Sequence, residues 1–228
     1  MNWIGSNAGT VLQLGLVHIL LSVPPIVTGL IIATPLGWLA NRHPLTRSPL
    51  LLITGLLYTI PALPLIIAIP ALLSTGILDP INVVITLTIY AVALMVRTVN
   101  DGLASVDREV RLAADAMGYS GWGRFWHVEL PLAGPVIIAG LRVVSVSTVS
   151  LVSIGSIIGV SSLGYLFLNG LQRNIPAEVW SGIVATVFIA VAFDFLLVAI
   201  GRVLMPWTRR ARPGETPKLQ TGAQAVSP

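Results

Sequence analysis

Long, nearly uncharged apolar stretches dominate this sequence, and each of them is long enough to cross a lipid bilayer. A membrane-spanning helix needs about 20 predominantly apolar residues. Five stretches fit that length, at residues 14–40, 49–73, 80–96, 132–158 and 181–205. We therefore predict an all-α integral membrane protein with about five transmembrane helices, in which residues 1–207 form one transmembrane domain.

The charge content excludes an ordinary water-soluble domain. Only 10% of the residues are charged and 55% are hydrophobic, and the mean hydropathy is +0.89. A soluble domain carries about 25% charged residues, because charge must cover a globular surface in water. The sequence contains no cysteine, which excludes disulfides, thiolate metal sites and a cysteine nucleophile.

The basic residues predict how the chain is oriented. Of the 13 Lys and Arg residues, 12 fall on one side of the five predicted spans and Arg173 alone falls on the other. The positive-inside rule then predicts an outside N-terminus and a cytoplasmic C-terminus in the cell membrane. This rule also accounts for the net charge of +4 without a nucleic-acid partner. Residues 208–228 lack apolar periodicity and are expected to form a disordered basic tail.

The second predicted span is interrupted by prolines. Pro61, Pro64 and Pro70 each remove a backbone donor and clash with the preceding turn. A helix broken this often inside a bilayer must have its freed carbonyl groups satisfied by protein or by water. Two interpretations stay open, a kinked packing helix and the wall or gate of a translocation path.

Polar and aromatic residues inside other spans are further candidates for that path. In the fourth span, Ser150 and Ser153 belong to a series of serines that recurs every third residue. Such small residues favour close helix packing in membranes, and a polar path is the alternative. Tyr58 and Tyr90 are possible aromatic contacts for a solute in the path, or they are packing residues.

Asp194 lies inside the fifth span, where a charge is expensive and is usually paired or functional. We favour an ion pair with Arg142 or Arg202. The alternatives are proton coupling, as in an ion-coupled carrier, and direct contact with the transported solute.

Residues 100–131 form the longest connection on the basic side, between the third and fourth spans. Residues 105–118 read as a helix that starts near Ser105 or Asp107 and ends at Gly118. A second short helix is predicted to begin at Ser120. The fold therefore includes a cytoplasmic helix–Gly–helix hairpin, whose small and acidic residues fit a protein partner better than the membrane surface.

One motif in this loop resembles a known signature. In the stretch AADAMGYSGWGRFWHVELP, Ala113, Ala114 and Gly118 are followed after nine residues by Val128, and the stretch ends in Leu-Pro. This spacing is similar to Glu-Ala-Ala, three residues, Gly, nine residues, Ile-x-Leu-Pro, the cytoplasmic signature of permease subunits of binding-protein-dependent ABC importers. The chain departs from the signature at Leu112, which stands where the family has Glu.

The resemblance implies that the loop is a coupling helix that sits in a groove of a cytoplasmic ABC ATPase. It also implies an ATPase dimer, a second permease subunit, identical or related, and an extracytoplasmic substrate-binding protein. The residues implied to contact the ATPase are Glu109, Leu112, Ala113, Ala114, Asp115, Met117 and Gly118.

Four segments narrow the resemblance to permeases for quaternary-amine osmoprotectants such as glycine betaine, choline and carnitine. They are IPALPLIIAIP, VRTVNDGLASVD, LPLAGPVIIAGLR and IIGVSSLGYLFLNGL. A permease for another small solute, such as an amino acid, shares parts of this pattern and is the alternative.

The chain lacks the sequence features of an ATPase. It contains no Gly-x-x-x-x-Gly-Lys-Ser/Thr stretch, and its single lysine is Lys218 near the end. No catalytic constellation and no metal-ligand spacing stands out. We expect no enzymatic activity and no bound cofactor in this chain, and ATP is expected to be used by the partner subunit.

Overall fold

The structure is a computed structural model, which describes residues 2–210. Nine α-helices occur in this part of the chain. They are α1 (Asn2–Arg42), α2 (Pro44–Thr59), α3 (Ala62–Leu73), α4 (Pro80–Ala104), α5 (Arg108–Ala116), α6 (Gly121–Arg124), α7 (Leu130–Val152), α8 (Gly164–Gln172) and α9 (Pro176–Leu204).

The predicted membrane spans are confirmed. Within residues 2–210, four helical segments are long and apolar enough to cross a membrane, and α2 and α3 provide a fifth span if they are counted together. The third span is longer than predicted, because α4 continues to Ala104. The fourth span begins earlier, since α6, a π-helical turn at Phe125–Glu129 and α7 form one continuous helical segment.

The second span is broken rather than gently kinked. The axes of α2 and α3 differ by 102° across a short gap. Ile60 and Pro61 in that gap are extended, with ψ angles of 127° and 139°. The residue before a proline is disfavoured in the helical region, and the proline ring cannot continue the preceding helix. Pro61 therefore marks the end of one helix and the start of the next.

The helices pack as a bundle around α4. The most extensive helix contacts are between α1 and α4, then between α4 and α7, and then between α7 and α9. A buried hydrogen bond also links α1 to α7, because His18 Nε2 lies 2.8 Å from the carbonyl oxygen of Val149. By contrast, α9 is the span least covered by the rest of the chain.

The connection from α7 to α9 forms a compact cap at one end of the bundle. A 3-10 segment, Ser153–Ile158, follows α7, and the chain then turns at Gly159 into α8. Of the predicted disordered tail, residues 208–210 lie in a final 3-10 turn, Pro206–Arg210, and residues 211–228 lie outside the described residues.

Candidate functional site

The loop between α4 and α7 folds as the hairpin that its sequence predicts. Asp107 stands at the N-cap position of α5, although its side chain makes no capping hydrogen bond. Gly118 ends the helical turn with φ +83°, a left-handed conformation that favours glycine. The amide of Tyr119 donates to the carbonyl oxygen of Ala114 at 3.2 Å, and this bond closes the turn. Ser120 then caps α6 by accepting from the amide of Gly123 at 3.1 Å.

Four charged residues, named here the charged frame, hold α5 against the start of α7. Glu129 is buried and accepts a hydrogen bond from Arg124 Nε at 2.8 Å. Arg124 also donates to both carboxylate oxygens of Asp115 at 2.5 Å. Arg111 Nε lies 3.8 Å from Glu129, and the same guanidinium donates to the carbonyl oxygen of Leu103 near the end of α4. The frame therefore joins the end of α4 and α5 to α6 and the π-helical turn that leads into α7.

The predicted contact residues of α5 divide into one buried anchor and an exposed surface. Ala114 is only 1% exposed and faces the rest of the chain. Leu112 and Met117 are large apolar side chains with 56% and 70% of their surface exposed. Glu109, Ala113, Asp115 and Gly118 are also exposed. Two large apolar side chains therefore project from the end of this short helix without being covered by the rest of the described chain.

The apolar residues of this segment recur at helical spacing but are only partly buried. Val106 and Ala114 are buried, whereas Val110 and Met117 are exposed. The hairpin also packs against α1 through aromatic rings. The ring centroids of Trp38 and Trp122 are 5.6 Å apart, and Trp38 and Phe125 are also 5.6 Å apart.

The candidate path residues of the second and third spans meet at the break between α2 and α3. The rings of Tyr58 and Tyr90 pack edge to face with centroids 5.5 Å apart. The Tyr90 hydroxyl donates to the carbonyl oxygen of Ile60, which directly precedes Pro61. Tyr90 is 5% exposed and Tyr58 is 44% exposed. Tyr90 therefore supports the break, and Tyr58 presents an accessible ring beside it.

The remaining path candidates lie on other elements. Pro64 is exposed in the first turn of α3. Ser150 is exposed near the end of α7, and Ser153 begins the following 3-10 segment. The Ser153 hydroxyl is buried and has no hydrogen-bond partner within residues 2–210.

Arg142, one of the two partners predicted for Asp194, forms an ion pair with it. Arg142 Nε and Nη2 donate to the two carboxylate oxygens of Asp194 at 2.6 and 2.8 Å, a bidentate pair between α7 and α9. The side chains of Arg142 and Asp194 keep 41% and 30% of their surface exposed. The charge in the fifth span is therefore paired within the chain, although one side of the pair is uncovered.

Sequence reasoning missed Arg111, Arg124 and Glu129 as structural residues of the loop. Glu129 occupies the variable position of the Ile-x-Leu-Pro pattern, so the motif itself gives no reason to single it out. A usable signal was present, because Glu129 is an isolated acid directly before an apolar span and follows Arg124 by five residues.

This geometry defines a class of protein. The class is that of polytopic membrane proteins, in which a short exposed helix is held between two apolar spans. Residues 25–210 match the family described as binding-protein-dependent transport system inner membrane component. The match covers most of the chain, and the protein belongs to this family.

Several osmoprotectant permeases are similar in sequence to nearly the whole chain. The osmoprotectant import permease protein OsmW of Salmonella typhimurium is 31% identical over 90% of this chain and 97% of its own length. The Bacillus subtilis glycine betaine/carnitine/choline transport system permease protein OpuCB is 27% identical over 90% of this chain and 94% of its own. The carnitine transport permease protein OpuCB of Listeria monocytogenes is 29% identical over 86% of this chain and 89% of its own length.

The fold matches a solved transporter. An inward-facing structure of the MetNI methionine ABC transporter superposes with a TM-score of 0.75 over 85% of this chain and 95% of the matched chain, at 18% identity. The resemblance found in the sequence is thereby confirmed at the level of family and fold. The chain is a multi-pass membrane protein and a transport subunit of the ABC importer type.

Proposed function

We propose that this permease subunit moves a small quaternary-amine osmoprotectant of the glycine betaine, choline or carnitine type into the cell. The observation that carries the substrate class is the similarity to OsmW, an osmoprotectant import permease, at 31% identity over 90% of this chain. The two OpuCB relatives, named for glycine betaine, carnitine and choline transport, support the same class.

The energy for transport comes from ATP hydrolysed by a separate cytoplasmic ATPase dimer, and α5 is the coupling helix that the ATPase contacts. The exposed apolar side chains of Leu112 and Met117 form the centre of this contact. Ala114, buried beneath them, and Gly118, which ends the helix, set its position. Because the charged frame ties α5 to α4 and α7, a displacement of α5 is transmitted to two spans.

The functional complex contains a second permease subunit, identical or related. The outer surface of α9 is strongly apolar and is largely uncovered, and Phe188 and Phe195 on it are 73% and 68% exposed. A bilayer or a second subunit covers such a surface. An extracytoplasmic binding protein delivers the solute, since the family takes its name from binding-protein dependence. The N-terminus is outside the cell and the C-terminus is cytoplasmic, as the positive-inside rule favours.

The solute passes the break between α2 and α3, where Tyr58 presents its ring. A quaternary ammonium group is attracted to the face of an aromatic ring by a cation–π interaction. Pro61 and Pro64 shape the broken span, and Tyr90 packs edge to face against Tyr58. Ser150 adds an exposed hydroxyl near the end of α7, and the Ser153 hydroxyl, buried in this structure, lies three residues further along. Alternating access then follows from ATP-driven exchange between two packed states of the spans.

The substrate class is tested by uptake into proteoliposomes. The full-length chain is reconstituted with its ATPase and binding protein, and ATP-dependent uptake of radiolabelled glycine betaine, choline and carnitine is measured. We expect uptake of at least one of the three. If none is taken up while the ATPase still associates with the chain, the permease function stands and the substrate class is wrong.

The coupling helix is tested by a matched pair of substitutions. Met117→Asp places a charge on the exposed surface of α5, and we expect loss of ATPase co-purification. Leu171→Asp is the control, because Leu171 is 76% exposed and lies on α8, away from the loop. Equal co-purification of the ATPase with both variants would show that α5 is not the docking surface. Uptake without any ATPase would favour an ion-coupled carrier, for which Asp194→Asn should then abolish transport.

A further inference from the structure

A deep apolar groove lies on the outside of the bundle, beside the hairpin. Its cavity volume is about 660 Å³, and it is formed by α1, the start of α7 and the end of α9. This volume falls within the range of about 300–1,000 Å³ that is typical of ligand sites. The proposed transport mechanism uses neither the groove nor its lining.

Tryptophans are concentrated around this groove. Four of the six tryptophans in the sequence line it, namely Trp38, Trp122, Trp126 and Trp207. Trp122, Trp126 and Trp207 remain 57%, 47% and 45% exposed. Indole rings favour the level of the lipid headgroups, where an apolar ring body and a polar N–H group both find partners. The tryptophans therefore favour a position of this groove at the membrane interface.

Arg42 stands next to the groove and has no acidic partner among residues 2–210. The guanidinium of Arg42 lies 5.2 Å from the ring centroid of Trp38. It also lies close over Gly121, where an added methyl group would come within 2.6 Å of Arg42 Nη1. Arg111, Arg124 and Arg142 each lie within 4.0 Å of a carboxylate, whereas no carboxylate among residues 2–210 lies that close to Arg42.

We propose that this groove binds a membrane phospholipid with an anionic headgroup, whose acyl chain fills the groove and whose phosphate contacts Arg42. The apolar lining matches an acyl chain, and a guanidinium is well suited to hydrogen-bond a phosphate. The juxtaposition of the two features selects a lipid over a soluble anion, which would leave the groove empty. A peptide partner would leave Arg42 without a complementary charge unless it were acidic.

The bound lipid would lie against the hairpin. Trp122 and Trp126 belong to the segment that connects α5 to α7, so a lipid seated between them and α1 packs against the element that holds α5. The inference does not depend on which solute is transported.

The test is lipid binding measured by native mass spectrometry on the full-length chain in complex with its ATPase. The two probes are dioleoyl phosphatidylglycerol, which is anionic, and dioleoyl phosphatidylcholine, which has the same acyl chains and no net charge. We expect retained phosphatidylglycerol and at least about tenfold weaker binding of phosphatidylcholine, because the choline ammonium, unlike glycerol, places a positive charge near Arg42.

Substitutions separate the headgroup from the groove. Arg42→Gln should weaken phosphatidylglycerol binding by about tenfold, whereas Arg42→Lys should retain most of it. Arg47→Gln is the matched control, because Arg47 is exposed on the same side of the bundle and lines a different cavity. Thr34→Trp, which fills the groove and leaves Arg42 in place, should also weaken binding.

Three results would overturn the proposal. They are equal affinity for the two lipids, unchanged phosphatidylglycerol binding in Arg42→Gln, and unchanged binding in Thr34→Trp. Retained ATPase association and a single elution peak show for each variant that a loss of lipid is not a loss of fold. ATPase association also reports on the proposed coupling function, so failure of either proposal is distinguishable from failure of the other.

Discussion

Replacement of Glu129 by glutamine gives the sharpest test of how the loop is held. The substitution keeps the size of the side chain and removes its charge. In the structure, Glu129 is 4% exposed and receives Arg124 Nε at 2.8 Å, while Arg111 Nε lies 3.8 Å away. Arg124 also contacts a second carboxylate, Asp115, whose side chain is 47% exposed. The two acids therefore contact the same cation from a buried and from an exposed position.

The burial of the two acids decides the expected magnitudes. Removing one partner of a buried ion pair typically costs about 3–5 kcal/mol. The Arg111 and Arg124 side chains keep 25% and 23% of their surface exposed, so water replaces part of the lost interaction. For Glu129→Gln we expect a loss of about 2 kcal/mol, which lowers the Tm by about 4–8 °C in a chain of this size. For Asp115→Asn, an exposed pair, we expect at most about 1 kcal/mol.

The measurement is thermal unfolding of the purified full-length chain in detergent, followed by tryptophan fluorescence. Trp122 and Trp126 lie in the loop itself and report on its environment. The Tm of the double variant Glu129→Gln/Arg124→Gln should fall by less than the sum of the Tm losses of the two single variants, because the residues act as one network. Equal Tm shifts for Glu129→Gln and Asp115→Asn, or additive losses in the double variant, would refute the reasoning.

Three further outcomes follow from geometry elsewhere in the chain. Gly118→Val should destabilise the loop by about 1–2 kcal/mol, because a branched side chain is strained at φ +83°. The readouts are Tm and ATPase association, and an unchanged value of both would contradict this prediction. Asp194→Asn should lower the yield of folded protein more than its combination with Arg142→Gln does, since the single change leaves a guanidinium unpaired in a span; detergent-extractable yield checks this. Gly164→Ala should strongly destabilise the chain, because the added methyl would lie 2.1 Å from the backbone oxygen of Ser153. Gly55→Ala is the control, because nothing lies within 4 Å of an added methyl there. Similar Tm values for the two variants would argue against this packing.

Features that depend on local sequence were predictable. The apolar stretches predicted the spans, because a bilayer requires length and hydropathy and little else. Gly118 predicted the end of α5, since a left-handed turn favours glycine whatever surrounds it. The pairing of Asp194 with Arg142 was among the predictions because an unpaired charge in a span is so unfavourable that it restricts the choice of partner.

Features that depend on distant contacts were not predictable. The prolines of the second span predicted an interruption, but the 102° angle between α2 and α3 also involves Tyr90 on another helix. The burial of Glu129 required knowing that α5 folds back onto the start of α7. The exposure of Met117 required knowing which side of α5 faces the bundle, because periodicity alone places Met117 and Ala114 in one stripe.

The π-helical turn at Phe125–Glu129 links the number of residues in the loop to the direction in which the loop faces. In this turn the amide of Leu130 bonds to the carbonyl oxygen of Phe125, five residues back rather than four. The extra residue rotates everything before it by about 100° relative to α7, since one residue corresponds to that rotation in an α-helix. Deleting a single residue here would restore a regular helix and turn α5 and Asp115 relative to α7, although Arg124 and Glu129 would still lie one helical turn apart. The nine-residue spacing between Gly118 and Val128 therefore sets the orientation of α5 relative to α7 as well as the distance between them.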